Sequence, residues 1–293
     1  MDEGTWLTER FDAQRGRLRG VAFRMLGSVS EADDAVQETW LRLNRTDSEG
    51  VENLDAWLTT VVTRVCLNML RSRRSRREES LELHTPDQVA RTDEARDPEQ
   101  EAVLADSVGM AMLVVLDTLS PAERLAFVLH DMFAVPFDEI GPMIERTPAA
   151  ARQLASRARR RVKGGGVTHD ADVADQRRVV EAFLAASRSG DLEGLVAVLD
   201  PDVVFHADRQ AGPTTEAIVM RGAHNVAKGA RLASERAKLS QPVLVNGAVG
   251  LAMAPRGRLS LVLAFTVANG KIAEIDVIAD PERLHSLDLS VLD

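Results

Sequence analysis

Apolar residues recur at intervals of three and four through most of the first 163 positions, the spacing of a buried helix face. Phe11, Leu18, Val21, Ala22, Met25 and Leu26 predict a first helix, which Gly27 ends. Ser30 caps a second, with Glu31, Asp33 and Asp34 in its first turn, where the helix dipole favours negative charge. Its buried stripe is Ala32, Val36, Trp40 and Leu43. Asn53 caps a third helix with Leu54, Trp57, Leu58, Val61, Val62 and Val65 as the apolar face, and Thr60, Arg64, Asn68 and Arg71 on the other side. Helical spacing returns over residues 103–116. Ser120-Pro121-Ala122-Glu123 then supplies a cap, a proline at the first helical position and a capping-box glutamate. Pro136 interrupts the chain before a short helix at 137–145, and Thr147-Pro148 opens a last helix that ends at Val162. Two short helices joined by a tight turn, the second of them basic, predict a helix-turn-helix.

Beyond Gly164-Gly165-Gly166 the period changes. Val179, Val180, Phe183 and Leu184 predict a helix and residues 191–199 a second. Residues 202–208 and 215–220 read as strands, and 223–238 as a further helix. Leu259, Leu261, Leu263, Phe265 and Val267 alternate with smaller residues up to Asn269-Gly270, the pair that suits a two-residue hairpin turn. Ala273, Ile275, Val277 and Ala279 alternate on the return strand. The expectation is therefore a multidomain chain. Residues 5–78 form an all-α domain, 79–101 an acidic linker and 102–163 a helix-turn-helix domain. A flexible joint follows at 164–172, then an α+β domain at 173–286 and a tail at 287–293.

Composition narrows the class. The chain has 293 residues and a formal net charge of -9, and 45% of its residues are hydrophobic, enough for two domains with their own cores. Its one cysteine, Cys66, excludes an internal disulfide and reads as a buried small hydrophobe. No apolar run reaches membrane-spanning length, and the N-terminus lacks the pattern of a signal peptide, so the expected location is cytoplasmic with no membrane partner. Between positions 78 and 106 stand ten acids and two bases, which predicts a flexible linker.

Against that acidic background two arginine runs stand out: Arg71-Ser72-Arg73-Arg74-Ser75-Arg76-Arg77 and Arg157-Ala158-Arg159-Arg160-Arg161. Cations concentrated on two helices predict two separate phosphate-contacting surfaces. In the last helix Arg152 and Gln153 are candidates for base edges, because arginine pairs with guanine and glutamine with adenine through two hydrogen bonds. Thr147 and Ser156 lie on the same helix, while Arg157, Arg160 and Arg161 suit phosphates, which position without reading sequence. In the third helix Arg64, Asn68, Arg71, Arg73 and Arg74 form the second candidate surface. The plainer alternative for both is a solvated charged face. Glu31, Asp33, Asp34 and Glu38, within eight residues and with no base among them, either solvate the second helix and complement its dipole or offer a docking face to a basic protein.

Residues 27–40, Gly27-Ser28-Val29-Ser30-Glu31-Ala32-Asp33-Asp34-Ala35-Val36-Gln37-Glu38-Thr39-Trp40, resemble region 2 of the extracytoplasmic-function (ECF) sigma factors. Asn53-Leu54-Asp55-Ala56-Trp57-Leu58 through Asn68-Met69-Leu70-Arg71 resembles the promoter-melting part of that region. Leu119-Ser120-Pro121-Ala122-Glu123-Arg124 through Ala155-Ser156-Arg157-Ala158-Arg159-Arg160 resembles region 4. The trailing α+β domain is similar to the SnoaL-like cone domain, of the nuclear-transport-factor-2-like fold, fused to the SigJ-type subgroup, and Asp280-Pro281-Glu282-Arg283-Leu284 resembles that subgroup's closing motif. Two stretches depart from it: Glu79-Ser80-Leu81-Glu82-Leu83-His84-Thr85-Pro86 replaces a tryptophan-leucine-proline motif, and His206-Ala207-Asp208-Arg209-Gln210-Ala211-Gly212-Pro213 a glycine-rich turn. A close neighbour of the subgroup is the expectation.

The resemblance implies a promoter-specificity subunit and not an enzyme. Asp33, Asp34, Gln37 and Glu38 would dock on core RNA polymerase. Arg64 and Asn68 would face the −10 element of promoter DNA, and the 147–160 helix would read the −35 element. In the last domain His206, Asp208 and His224 form a possible pocket, with an unknown small ligand or, less simply, acid–base chemistry as its use. No metal-ligand spacing and no cofactor motif is present. Alternatives are a one-component ligand-sensing regulator and a SnoaL-like cyclase or isomerase with a helical appendage. The covalent fusion predicts that the last domain acts on the sigma regions in cis as an intramolecular partner.

Overall fold

The computed structural model describes residues 3–46, 53–82, 109–163, 170–212 and 216–292. The chain divides into two compact units. The first comprises Met1–Gly109 and Leu119–Ala158, the second Met110–Thr118 and Arg159–Asp293. The predicted acidic linker lies outside the described residues from position 83, but its first four residues continue the third helix.

Three helices open the first unit: α1 (Glu3–Leu26), α2 (Val29–Leu43) and α3 (Leu54–Glu82). The cap of α2 is Ser28, not Ser30: its hydroxyl accepts the Glu31 amide, and the two serine hydroxyls share a hydrogen bond of 3.0 Å. Asn53 caps α3 as expected through the Ala56 amide at 3.1 Å. Leu18, Met25 and Leu26 of α1, Ala32 and Val36 of α2, and Leu58 and Val62 of α3 are buried, so the sequence stripes meet in one core. Phe11 and Trp40 pack at 4.9 Å between ring centroids. Cys66 is buried, and loss of solvation pushes its thiol up to about 12, beyond the reach of a nearby arginine to restore.

Within the same unit lie α5 (Pro121–Phe127), a π-helical turn (Val128–Met132) and α6 (Phe137–Met143). They precede α7 (Pro148–Lys163), which starts in this unit. Both halves of the Ser120–Glu123 capping box are formed. The π turn ends at Met132, and two residues on the chain turns through Ala134, held at φ 54. Gly141 makes the turn into α7 possible: a Cβ there would stand 2.8 Å from the Arg146 carbonyl oxygen. Arg124 is 2% exposed and donates from Nε to the Arg24 carbonyl oxygen at 3.0 Å.

The second unit is a mixed seven-stranded sheet in the order β2-β1-β6-β5-β4-β3-β7. Its strands are β1 (Leu199–Ala207), β2 (Ile218–Arg221), β3 (Ser240–Val245), β4 (Ala248–Met253), β5 (Leu261–Ala268), β6 (Lys271–Ile278) and β7 (Leu289–Val291). The helices are α8 (Asp170–Ser189), α9 (Leu192–Val198), α10 (Ala223–Leu232), α11 (Ser234–Lys238) and α12 (Pro281–Ser286). Asn269-Gly270 turns β5 into β6 with both residues at positive φ, and Asn246-Gly247 does the same between β3 and β4. Within the expected tail, β7 pairs with β3, Val243 opposite Val291.

Alternating residues give this sheet two apolar faces. Val249, Leu251, Leu261, Phe265 and Val277 pack with Val180, Phe183 and Leu184 of α8. Their neighbours Ala252, Val262 and Ile278 belong to a second cluster with Val243, Val245, Leu259 and Leu289. Val114 completes that second cluster. It belongs to α4 (Met110–Thr118), which packs on β3, β4 and β7. Asp117 of α4 accepts the Leu259 amide at 2.8 Å. Within the span expected as the helix-turn-helix domain, α4 packs on the sheet, because an apolar face of a sheet must be covered.

Candidate nucleic-acid interface

α3 presents Arg64, Asn68 and Arg71 along one exposed face, while Val62, Val65 and Cys66 on the other side are buried. The spacing of four and three residues puts all three polar groups on one stripe. Arg73 does not join them. Its Nε donates to Glu31 at 3.0 Å, its Nη1 donates to the Leu26 carbonyl at 3.0 Å, and Nη2 pairs with the second Glu31 oxygen. Arg73 thus ties α3 to the end of α1 and the start of α2, and its side chain is 14% exposed. Its assignment to DNA is corrected on that ground: a cation committed to two internal acceptors has little left for a phosphate. The side chain of Arg74 lies outside the described residues.

On α2, Asp33, Asp34 and Gln37 are exposed and Glu38 is half-buried. Asp33 accepts from Arg19 at 2.7 Å, and Glu38 from Arg42 one turn along at 2.8 Å. The four side chains share the solvent side of α2, opposite Ala32, Ala35 and Val36.

α7 is split by chemistry along its length. Ala151, Ala155, Ala158 and Val162 are buried; Arg152, Gln153, Arg157, Arg160 and Arg161 are exposed, with Ser156 half-buried between them. Small alanines let the helix sit close to its support and leave the long arginines projecting. Thr147 caps it, its hydroxyl accepting the Ala150 amide at 3.2 Å. Arg152 stacks over the Phe137 ring at 5.4 Å, and that ring lies on His130 at 3.8 Å. The stack pre-orients the arginine nominated for base reading. Sequence reasoning passed over Phe137 and Glu31 as partners of these arginines, because each lies many residues away from its mate.

In the second unit His206, Asp208 and His224 are not brought into one site. Asp208 lies beyond the end of β1. Its Oδ2 accepts the Ala279 and Asp280 amides at 3.0 Å each, and its Oδ1 takes Arg283 at 2.5 Å. Arg283 also binds Asp276 at 2.6 Å. Burial alone would raise the Asp208 pKa, but the two amides and the arginine outweigh it and hold the carboxyl below its ordinary value. Asp208 is thereby a fastener for the closing motif, with Asp280 capping α12 through the Glu282 and Arg283 amides. His206 stands beside Glu274 at 3.9 Å. His224 lines a cleft of about 350 Å³ with Asn225 and Lys271. Among the described residues no cluster of histidine, cysteine and carboxylates could hold a metal ion, and no helix is long and apolar enough to cross a membrane.

Comparison with known proteins agrees with this layout. The model of Sigma-70 region 2 matches residues 10–76 and that of Sigma-70 region 4 matches residues 109–162. The ECF RNA polymerase sigma factor SigJ of Mycobacterium tuberculosis (strain H37Rv) is 38% identical, over 93% of this chain and 91% of its own length. The probable ECF RNA polymerase sigma factor SigI of the same species is 36% identical, over 94% of this chain and 93% of its own. The crystal structure of M. tuberculosis SigJ aligns at 33% identity and a TM-score of 0.45, covering 94% of this chain and 97% of that one. With both sigma regions matched and a relative aligned along nearly its whole length, the chain belongs to the ECF RNA polymerase sigma factors, with an α+β domain behind regions 2 and 4.

Proposed function

We propose that this sigma factor binds core RNA polymerase in the cytoplasm through Asp33, Asp34, Gln37 and Glu38. It then meets the −10 element with Arg64, Asn68 and Arg71 and the −35 element with α7. Arg152 and Gln153 read bases; Arg157, Arg160 and Arg161 hold phosphates. Each contact is weak, and their joining on one scaffold gives promoter affinity to a chain of net charge -9.

We further propose that the C-terminal domain regulates the sigma regions in cis. One observation supports this above others. The region 4 match begins at residue 109 and so includes α4, yet α4 folds into the C-terminal sheet, with Val114 1% exposed and Asp117 holding the Leu259 amide. That a helix within the region 4 match is folded into the C-terminal sheet supports the reading that this domain acts on region 4. Run-off transcription with purified core polymerase tests it, on promoters selected from a random library, comparing the full chain with a truncation after Lys163. The truncation is expected to change transcript yield. Equal yield and equal polymerase affinity would reject regulation in cis.

A further inference from the structure

The edge of the sheet carries a cationic surface that neither sigma region uses. Val219, Met220 and Arg221 of β2, with Asn225 and Lys228 of α10, line an open cleft of about 600 Å³. A second cleft of about 350 Å³ adjoins it through the shared Asn225 and adds His224 and Lys271. No carboxylate lines either cleft, although Asp and Glu outnumber Lys and Arg 45 to 36 in the chain. Arg221 and Lys228 are exposed and, with Lys271, make no ion pair among the described residues. Four other cations of this domain are paired with acids, Arg177 with Glu181, Arg178 with Asp175, Lys238 with Glu235 and Arg283 with Asp208 and Asp276, while Arg188 and Arg236 are spent on backbone carbonyls.

We infer that this surface, centred on Arg221 and Lys228, binds the phosphate backbone of duplex DNA flanking the box read by α7. Three observations select this occupant. The lining is cationic and polar without an acid, which complements a polyanion carrying one charge per about 1.7 Å. Both principal cations are exposed, and Val219 at the rim is 58% exposed, so the surface is open and suits an extended strand. Finally, only the six residues 164–169 separate the end of α7 from the start of α8, a reach of at most about 20 Å. A tether this short raises the local concentration of the polyanion that α7 is read as holding. The inference rests on the reading of α7 as the −35 helix.

The test uses full-length protein with core polymerase and a promoter duplex selected from a random library. The duplex is either trimmed at the upstream box or extended beyond it by about two helical turns, roughly 20 base pairs. R221E/K228E is expected to lower affinity for the extended duplex roughly tenfold and to make its salt dependence shallower by about two in log–log slope. R221Q/K228Q should give a smaller loss of the same kind. Neither variant should alter binding to, or transcription from, the trimmed duplex, which also reports that both remain folded. An equal loss on both duplexes, or no loss on the extended one, overturns the inference. So does wild-type protein that binds inorganic pyrophosphate at this surface while the variants keep full affinity for the extended duplex. In a separate arm, R152A should lose sequence preference on both duplexes; its failure to do so would count against the −35 reading of α7 and leave the flanking contact to be judged on the charge variants alone.

Discussion

If α4 belongs to the C-terminal fold, weakening its attachment must loosen one side of the sheet and spare the other. Val114→Ala removes two methyl groups from a site 1% exposed. At about 0.8 kcal/mol per buried carbon this costs about 1.6 kcal/mol, and the cavity left behind raises it to about 2–3 kcal/mol. Asp117→Ala strands the Leu259 amide, which now donates at 2.8 Å. Leaving a buried donor without its acceptor costs about 1–3 kcal/mol. The two changes lie one turn apart on one helix, so their sum will not be additive. Native-state hydrogen exchange of the full-length protein is the suitable assay, since several domains unfold here and a single melting temperature would blend them. A loss of about 2 kcal/mol should speed exchange roughly thirtyfold at Leu259 and at the β3–β7 pairing, where Val245 faces Leu289. Amides shared by β1 and β6 should keep their rates, because their core is built with α8, α9 and α10. Unchanged exchange at Leu259 and β7, or equal acceleration throughout the sheet, would refute the docking of α4 as the cause.

Three further outcomes are expected. Replacing Arg152 or Gln153 should relax preference at the upstream box by about 1–3 kcal/mol per base contact, while R160A or R161A should weaken binding evenly and flatten the salt dependence; a binding selection at two salt concentrations separates them. Asp208 has a folded pKa below its unfolded value of about 3.9, so its contribution to stability is fully present above that pH and is lost as pH falls through the folded value. D208N should therefore lower stability at pH 7 and narrow the gap to wild type under acid, read from denaturant melts across pH 2–7. Cys66, buried and with its thiol pushed up to about 12, should resist maleimide and peroxide in the folded protein and react only after denaturation, followed by mass spectrometry.

Much of the sigma half was legible because its signals are local. A capping box, a Thr-Pro helix start and three- and four-residue apolar spacing need no distant partner, and Ser120, Thr147 and Asn53 all cap where the pattern put them. The hairpin signal was equally local, yet it was read only once. Asn246-Gly247 stands between apolar runs as Asn269-Gly270 does, and both turns adopt the left-handed backbone that this pair favours. The exchange of Ser30 for Ser28 as the α2 cap shows the limit of the same reasoning, since two serines two residues apart both satisfy the pattern.

The arginine run within α3 was readable in part. Positions 64, 68 and 71 fall on one side of a helix, whereas position 73 lies about 200° further round than 71, turned towards the body of its own domain. That argument separates Arg73 from its neighbours but does not supply Glu31 or the Leu26 carbonyl, which come from elements more than 40 residues away.

The fate of α4 was not readable at all, for a physical reason. Met110–Thr118 has the sequence Met-Ala-Met-Leu-Val-Val-Leu-Asp-Thr, and Leu113, Val114, Val115 and Leu116 are all buried. A helix that is apolar around its whole circumference has no face that marks a direction, so periodicity announces burial without naming the partner. Its family match points to region 4, while the uncovered face formed by Val243, Ala252, Val262 and Leu289 can be known only once the sheet exists. The burial of four consecutive residues says that the helix is enclosed, and the sheet supplies the surface that covers Val114.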